Sequence, residues 1–150
     1  MGSWVDTRAK IKAKLDALVA TPVTPTQPLG CVFNGEQPPG AVEIPAWPAA
    51  EIVRIQTNPD YSDNRTDIQD YVFAINLYYQ LKDNNYAAVE ILMDPVIDLI
   101  MQAFLSDATL TGTANARIRP IQSAASLTSW MGKPCRRDTI FIAARELMTM

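Results

Sequence analysis

Ile68-Gln69-Asp70-Tyr71-Val72-Phe73-Ala74-Ile75-Asn76-Leu77-Tyr78-Tyr79-Gln80-Leu81 is the stretch on which the fold turns. Tyr71, Phe73, Ile75, Leu77 and Tyr79 fall at every second position. Val72, Ala74, Asn76, Tyr78 and Gln80 fall between them and form a more polar set. Successive side chains of a strand point to opposite faces, so this spacing predicts a long strand over 68–81. One face should pack under helices. The other should meet water, a lumen or another subunit.

Moving outward, Asp83-Asn84-Asn85 offers N-cap chemistry for a helix over 85–105. Its apolar stripe is Val89, Leu92, Met93, Val96, Ile97, Ile100 and Phe104. Pro95 inside it predicts a kink or a split near Met93-Asp94, because proline removes one backbone bond. Upstream, Ala50–Thr57 reads as a strand, and Asn58-Pro59-Asp60 through Asn64 as a polar turn. Residues 4–20 read as a helix, with Trp4, Arg8, Ile11, Leu15, Leu18 and Val19 on one face. Arg8 is expected to contribute its aliphatic stem there, and Thr21-Pro22 to end the helix. Downstream, Ala114–Ser123 and Asp138–Leu147 read as strands, with loops at Ser106–Thr113 and Trp130–Pro134.

Seven of the eleven prolines lie within residues 21–48: Pro22, Pro25, Pro28, Pro38, Pro39, Pro45 and Pro48. This segment reads as a proline-rich connector or as an arm that docks on a neighbouring chain. It retains β-capable pieces at Leu29–Phe33 and Ala41–Ile44, with turn signals at Asn34-Gly35 and Pro39-Gly40. The whole chain then predicts a single α+β domain over 1–150. Its sheet is mixed or antiparallel, of about four to five strands, with two main helices packed on one face.

Composition narrows the chemistry. At 150 residues the chain is one domain's worth. At 16.6 kDa it can bury about two-thirds of its unfolded surface, enough for a core without staples. Histidine is absent, which removes Ser-His-Asp and Cys-His nucleophilic sites and His-ligated zinc. Two cysteines cannot make a Cys₄ metal site. Cys31 and Cys135 stand far apart, no signal peptide is read in a start that carries Asp6, Arg8 and Lys10, and no disulfide is expected. A net charge of −3 argues against sequence-independent nucleic-acid binding and against a membrane surface. No apolar run reaches the roughly 18 residues of a membrane span.

Two charged groups invite a second reading. Glu90, Asp94 and Asp98 stand at four-residue steps along the predicted helix, a spacing that destabilises it by a few tenths of a kcal/mol per pair. They are either a solvated face or a stripe met by the basic residues of a neighbouring subunit. A cation site would need further oxygen ligands that no second carboxylate cluster supplies. Arg117, Arg119, Lys133, Arg136, Arg137 and Arg145 gather in the last third. They are either ordinary sheet-surface charge or partners for such a stripe, with passing contact to DNA as a minor option. Trp47, between Pro45 and Pro48, is the tryptophan expected to be exposed on the arm, where it could anchor an interface. The subunit-interface candidates are therefore Trp47, Glu90, Asp94, Asp98, Arg117, Arg119, Arg136 and Arg137. No phosphate-cradling glycine loop and no nucleophile beside a base stands out. Catalytic residues, cofactors and metals are not expected.

Several pieces occur in a telling order. Ile44-Pro45-Ala46 precedes a strand, and an Arg-led strand with Tyr-x-Phe-x-Ile runs from Arg65 to Leu77. A helix then leads into Leu105-Ser106-Asp107-Ala108-Thr109-Leu110-Thr111-Gly112, followed by an Arg-containing strand and a last alternating strand. Over most of residues 4–148 this resembles the tail terminator (tail completion) proteins of long-tailed bacteriophages. Asp107–Gly112 looks like that family's Asp-x-Thr-Leu-x-Gly turn. The resemblance implies a structural virion protein of the tail-neck region, assembled in the bacterial host cytoplasm and without enzymatic activity. It implies an α+β subunit with helices on one sheet face, assembled as a homo-oligomeric ring of six. The implied partners are the tail tube protein and the head connector or stopper protein. The alternatives are another neck component (a stopper or head-completion protein) and, from a different class, a small cytoplasmic enzyme or ligand-binding domain using carboxylates such as Glu90 and Asp94.

Overall fold

The computed structural model describes residues 4–35, 43–61, 66–81, 86–106, 116–122 and 125–149. Its elements, in chain order, are α1 (Trp4–Asp16), β1 (Cys31–Phe33), β2 (Ala49–Tyr61), β3 (Thr66–Gln80), α2 (Tyr86–Leu105), β4 (Ala116–Gln122), β5 (Ser126–Trp130) and β6 (Lys133–Thr149). The fold is α+β. The sheet has six strands in the order β1-β2-β3-β6-β4, and β5 also pairs with β6. Among the described strand pairs only β1–β2 is parallel.

β3 lies in the middle because it is apolar enough to be covered on both sides. Phe73, Ile75 and Leu77 are fully buried on the helix-bearing face, as their spacing predicts. They meet Ala50 and Ile52 of β2, Ile140 and Ile142 of β6, Ile11 and Leu15 of α1, and Val89, Met93, Val96, Ile97, Ile100 and Phe104 of α2. The Tyr71 side chain lies outside the described residues. Arg8 gives more than its stem. Its guanidinium sits 5.2 Å over the Phe73 ring and donates to the Ile52 carbonyl at 2.9 Å.

Several boundaries differ from the sequence reading, each for a local reason. α1 ends at Asp16, not at residue 20, because the chain turns into a parallel bridge at Val19, where the Leu29 N–H donates to the Leu18 carbonyl and the Ala20 N–H to the Leu29 carbonyl. β2 continues through Pro59 to Tyr61, where a turn was expected. Among the described residues it pairs with β1 only at Ala49–Glu51, so Pro59 lies on a stretch paired on one side only, where proline is tolerated. α2 is one unbroken helix despite Pro95. Pro95 lies on the exposed side, and the Ile91 carbonyl it leaves without a donor belongs to a residue 72% exposed, where water can serve. β5 was not expected from the sequence, and the expected loop at Trp130–Pro134 shortens to a turn at Met131-Gly132, with β6 starting at Lys133. Met131 (φ 51°) and Gly132 (φ 76°) are both left-handed, which makes a two-residue hairpin turn between β5 and β6.

The described part of the 21–48 connector is pinned to the domain. A Thr24–Gln27 turn closes its first loop. Gly30 donates to the Pro48 carbonyl at 2.7 Å and runs so close to Ala46 that a Cβ would stand 2.6 Å from a backbone carbon. Only glycine fits that crossing. The β-capable piece Ala41–Ile44 falls partly outside the described residues, and Asp83–Asn85 and Asp107–Gly112 fall wholly outside them.

Phe73→Ala should lower unfolding free energy by about 3–5 kcal/mol, because the ring is fully enclosed. Urea titration followed by circular dichroism checks this. A midpoint equal to the parent's would contradict the placement of β3.

Candidate functional site

The sheet face away from the helices carries a second, smaller core. Ile44, Ala49, Tyr78, Trp130 and Cys135 are buried there, with Cys31, Phe33 and Trp47 packed against them. Trp130 is its centre: Tyr78 meets it edge-on at 5.0 Å, and Phe33 stacks on it at 6.1 Å. Trp47 is half-buried in this cluster rather than projecting from an arm. Its flanking residues are held by the Gly30 crossing, which draws the indole back onto its own domain.

Beside this cluster runs a polar seam that links three strands. Glu51 of β2 is 2% exposed and accepts from the Asn76 amide at 2.9 Å and the Tyr78 hydroxyl at 2.7 Å. Thr139 of β6 donates its hydroxyl to the Asn76 carbonyl oxygen at 2.8 Å. Register explains the grouping, since Glu51, Asn76 and Thr139 are direct cross-strand partners. The Tyr78 hydroxyl is held well above the usual tyrosine range. Burial is the larger cause and the bond to Glu51 the next, with nearby Arg137 opposing both. Glu51 and Thr139 were not singled out from the sequence. The available signal was the parity of Glu51, which matches the Asn76–Tyr78 face once the two strands are paired.

The charged candidates fall into three groups. Arg136 and Arg137 are engaged within the chain. Arg136 grips the buried Asp138 at 3.1 Å and reaches Glu90 at 3.6 Å. The Asp138 bond is the main cause that pushes its pKa upward. Arg137 donates to the Ser126 hydroxyl at 3.2 Å. Glu90 is therefore not an unmet charge, although an exposed pair of this kind is worth under about 1 kcal/mol. Asp94 and Asp98 are exposed on α2, without a partner among the described residues. Arg117 and Arg119 are placed by backbone register alone, opposite Arg145 and Ala143.

A half-open pocket of about 270 Å³ lies on the other flank of α2. Its walls are Val23, Pro25 and Pro28 of the first connector loop, Trp47, Pro48, Tyr79, and Leu92, Pro95 and Val96 of α2. No carboxylate lines it, and Glu90 and Asp94 are not among its walls. The thiols are poor nucleophiles, since burial pushes both above the usual cysteine range. Cys31 and Cys135 are both free thiols, half-buried and buried. Among the described residues no three Cys, Asp or Glu side chains gather as a metal site would require, and no helix is long and apolar enough to cross a membrane. The chain matches no protein-family model and no curated protein sequence.

The Tyr78 hydroxyl has a testable pH consequence. Its folded pKa is raised, so its contribution to stability is complete below the unfolded value of about 10 and is lost as pH rises above that. Stability of the parent should fall more steeply above about pH 10 than stability of Tyr78→Phe. Urea midpoints on both sides of that pH measure it. Equal slopes would contradict the buried Tyr78–Glu51 bond.

Proposed function

We propose that this chain is a structural subunit of a bacteriophage tail terminator, forming a ring that caps the tail tube and joins it to the head connector. The observation that carries this reading is the order of the sequence pieces and the elements they occupy. Ile44-Pro45-Ala46 lies just ahead of β2, the Tyr-x-Phe-x-Ile pattern lies on β3, Leu105 ends α2, and Arg117 and Arg119 lie on β4. The two helices share one face of the sheet, the arrangement that the resemblance implies. In this reading the protein works by shape and contact, as a virion component of the tail neck put together in the host cytoplasm. Its partners are further copies of itself, the tail tube protein and the connector or stopper protein, with phage DNA passing through the lumen.

Location on the particle tests the reading. Gold-labelled protein mixed with purified tail tubes should decorate one end of each tube in negative-stain images. Decoration along the tube wall, or none at any concentration, would overturn the proposal. Binding to isolated connectors but never to tube ends would point to the alternative neck component.

A further inference from the structure

The apolar pocket beside α2 has a matching knob on the same molecule, at the tip of the β5–β6 hairpin. At about 270 Å³ the pocket falls short of the roughly 300–1,000 Å³ of drug-sized ligand sites, and no charged side chain stands among its described walls to orient such a ligand. It suits one flexible apolar side chain. Its rim is acidic. Asp98 stands three residues beyond the wall residue Pro95, and Asp94 four before Asp98, spacings that make neighbours on a helix surface. Both carboxylates are exposed and without a partner among the described residues.

The hairpin tip is the complement. Met131 is 49% exposed and holds a left-handed backbone, φ 51°. Asparagine or glycine adopts that conformation readily and methionine does so at a cost, so the turn itself does not call for methionine. Methionine is, however, an adaptable side chain enriched at protein interfaces. Lys133, two residues on, is exposed and makes no ion pair among the described residues. Lys12, by contrast, is paired with Asp16, and Arg136 with Asp138.

Knob and hole also sit where head-to-tail neighbours need them. They share one end of the sheet: Tyr79 of the pocket wall is the cross-strand partner of Arg136, and the Leu81 N–H donates to the Pro134 carbonyl at the base of the tip. They lie on opposite flanks of α2. Arg136, three residues after Lys133, reaches Glu90, while Leu92 lines the pocket. Two residues of helix turn through about 200°, so Glu90 and Leu92 face away from each other. Met131 does not line the pocket of its own chain.

We infer that the β5–β6 hairpin tip of one copy enters the α2 pocket of the next, with Met131 filling the apolar cavity and Lys133 meeting Asp98 and Asp94 at its rim. This rests on the ring reading and specifies its contact. Unlike surfaces meeting head to tail close into a ring when the rotation fits. The apolar insertion supplies the burial, and the charges at the rim set register and partner choice.

Met131→Gly is the sharpest variant, because glycine takes the left-handed turn freely. It should melt close to the parent by circular dichroism, yet need about tenfold more protein to assemble. Asp94→Lys with Asp98→Lys should weaken assembly to a similar degree, and adding Lys133→Glu should restore it. For the contact itself, Met131→Cys and Leu92→Cys chains, each with Cys31→Ala and Cys135→Ala, are treated with a short bis-maleimide. A covalent dimer should form when the two are mixed and not from either alone. Met131→Gly and double-lysine chains that form rings as the parent does, with no dimer in the mixture, would overturn the contact and leave the ring reading standing. Dimers of Met131→Cys alone, or its cross-linking to tube protein and not to Leu92→Cys, would overturn the contact as well. A parent chain that stays monomeric at all concentrations would defeat the ring reading, and this contact with it.

Discussion

The register of β3 against its two neighbours governs the rest of the molecule. A slip of one residue would carry Phe73, Ile75 and Leu77 out from under the helices and put Asn76 and Tyr78 in their place. It would also part Asn76 and Tyr78 from Glu51, leaving a buried carboxylate without its donors, which is costly in a low-dielectric interior. The apolar face and the polar seam thus select the same pairing. One supplies most of the burial energy, and the other penalises the alternatives.

The same constraint settles where the charges can act. Arg136 and Asp138 lie two residues apart on one strand and so share a face, which is why they bind each other before any neighbour can compete. Arg137, on the opposite face, is drawn to Ser126 beside Tyr78. The carboxylates left exposed, Asp94 and Asp98, are on the outer side of α2. Exposed pairs are weak individually and set register and partner choice more than affinity.

Much of this fold was legible in the residues because alternation and helical spacing leave a plain imprint. β3 and the buried stripe of α2 are examples. What was hidden depended on tertiary context. Pro59 reads as a turn until β2 is known to have an open edge at that point. β5 was hidden as well, because Ser126–Trp130 is too short and too polar to show a strand pattern, although the loop read at Trp130–Pro134 does hold the turn that joins it to β6. Trp47 reads as exposed among its prolines, but the Gly30–Ala46 crossing folds that segment back onto the second core. The candidate interface was legible as a set of charges and not as a geometry, since pairing within the chain removed Arg136 and Arg137 from it.

The ring is the central claim, and native mass spectrometry of the purified chain beside tail tubes measures it most directly. The predicted result is a monomer of 16.6 kDa at low concentration, giving way to a closed species of six copies, about 100 kDa, that the tubes bind. A monomer at every concentration, or a dimer that never grows, would contradict it.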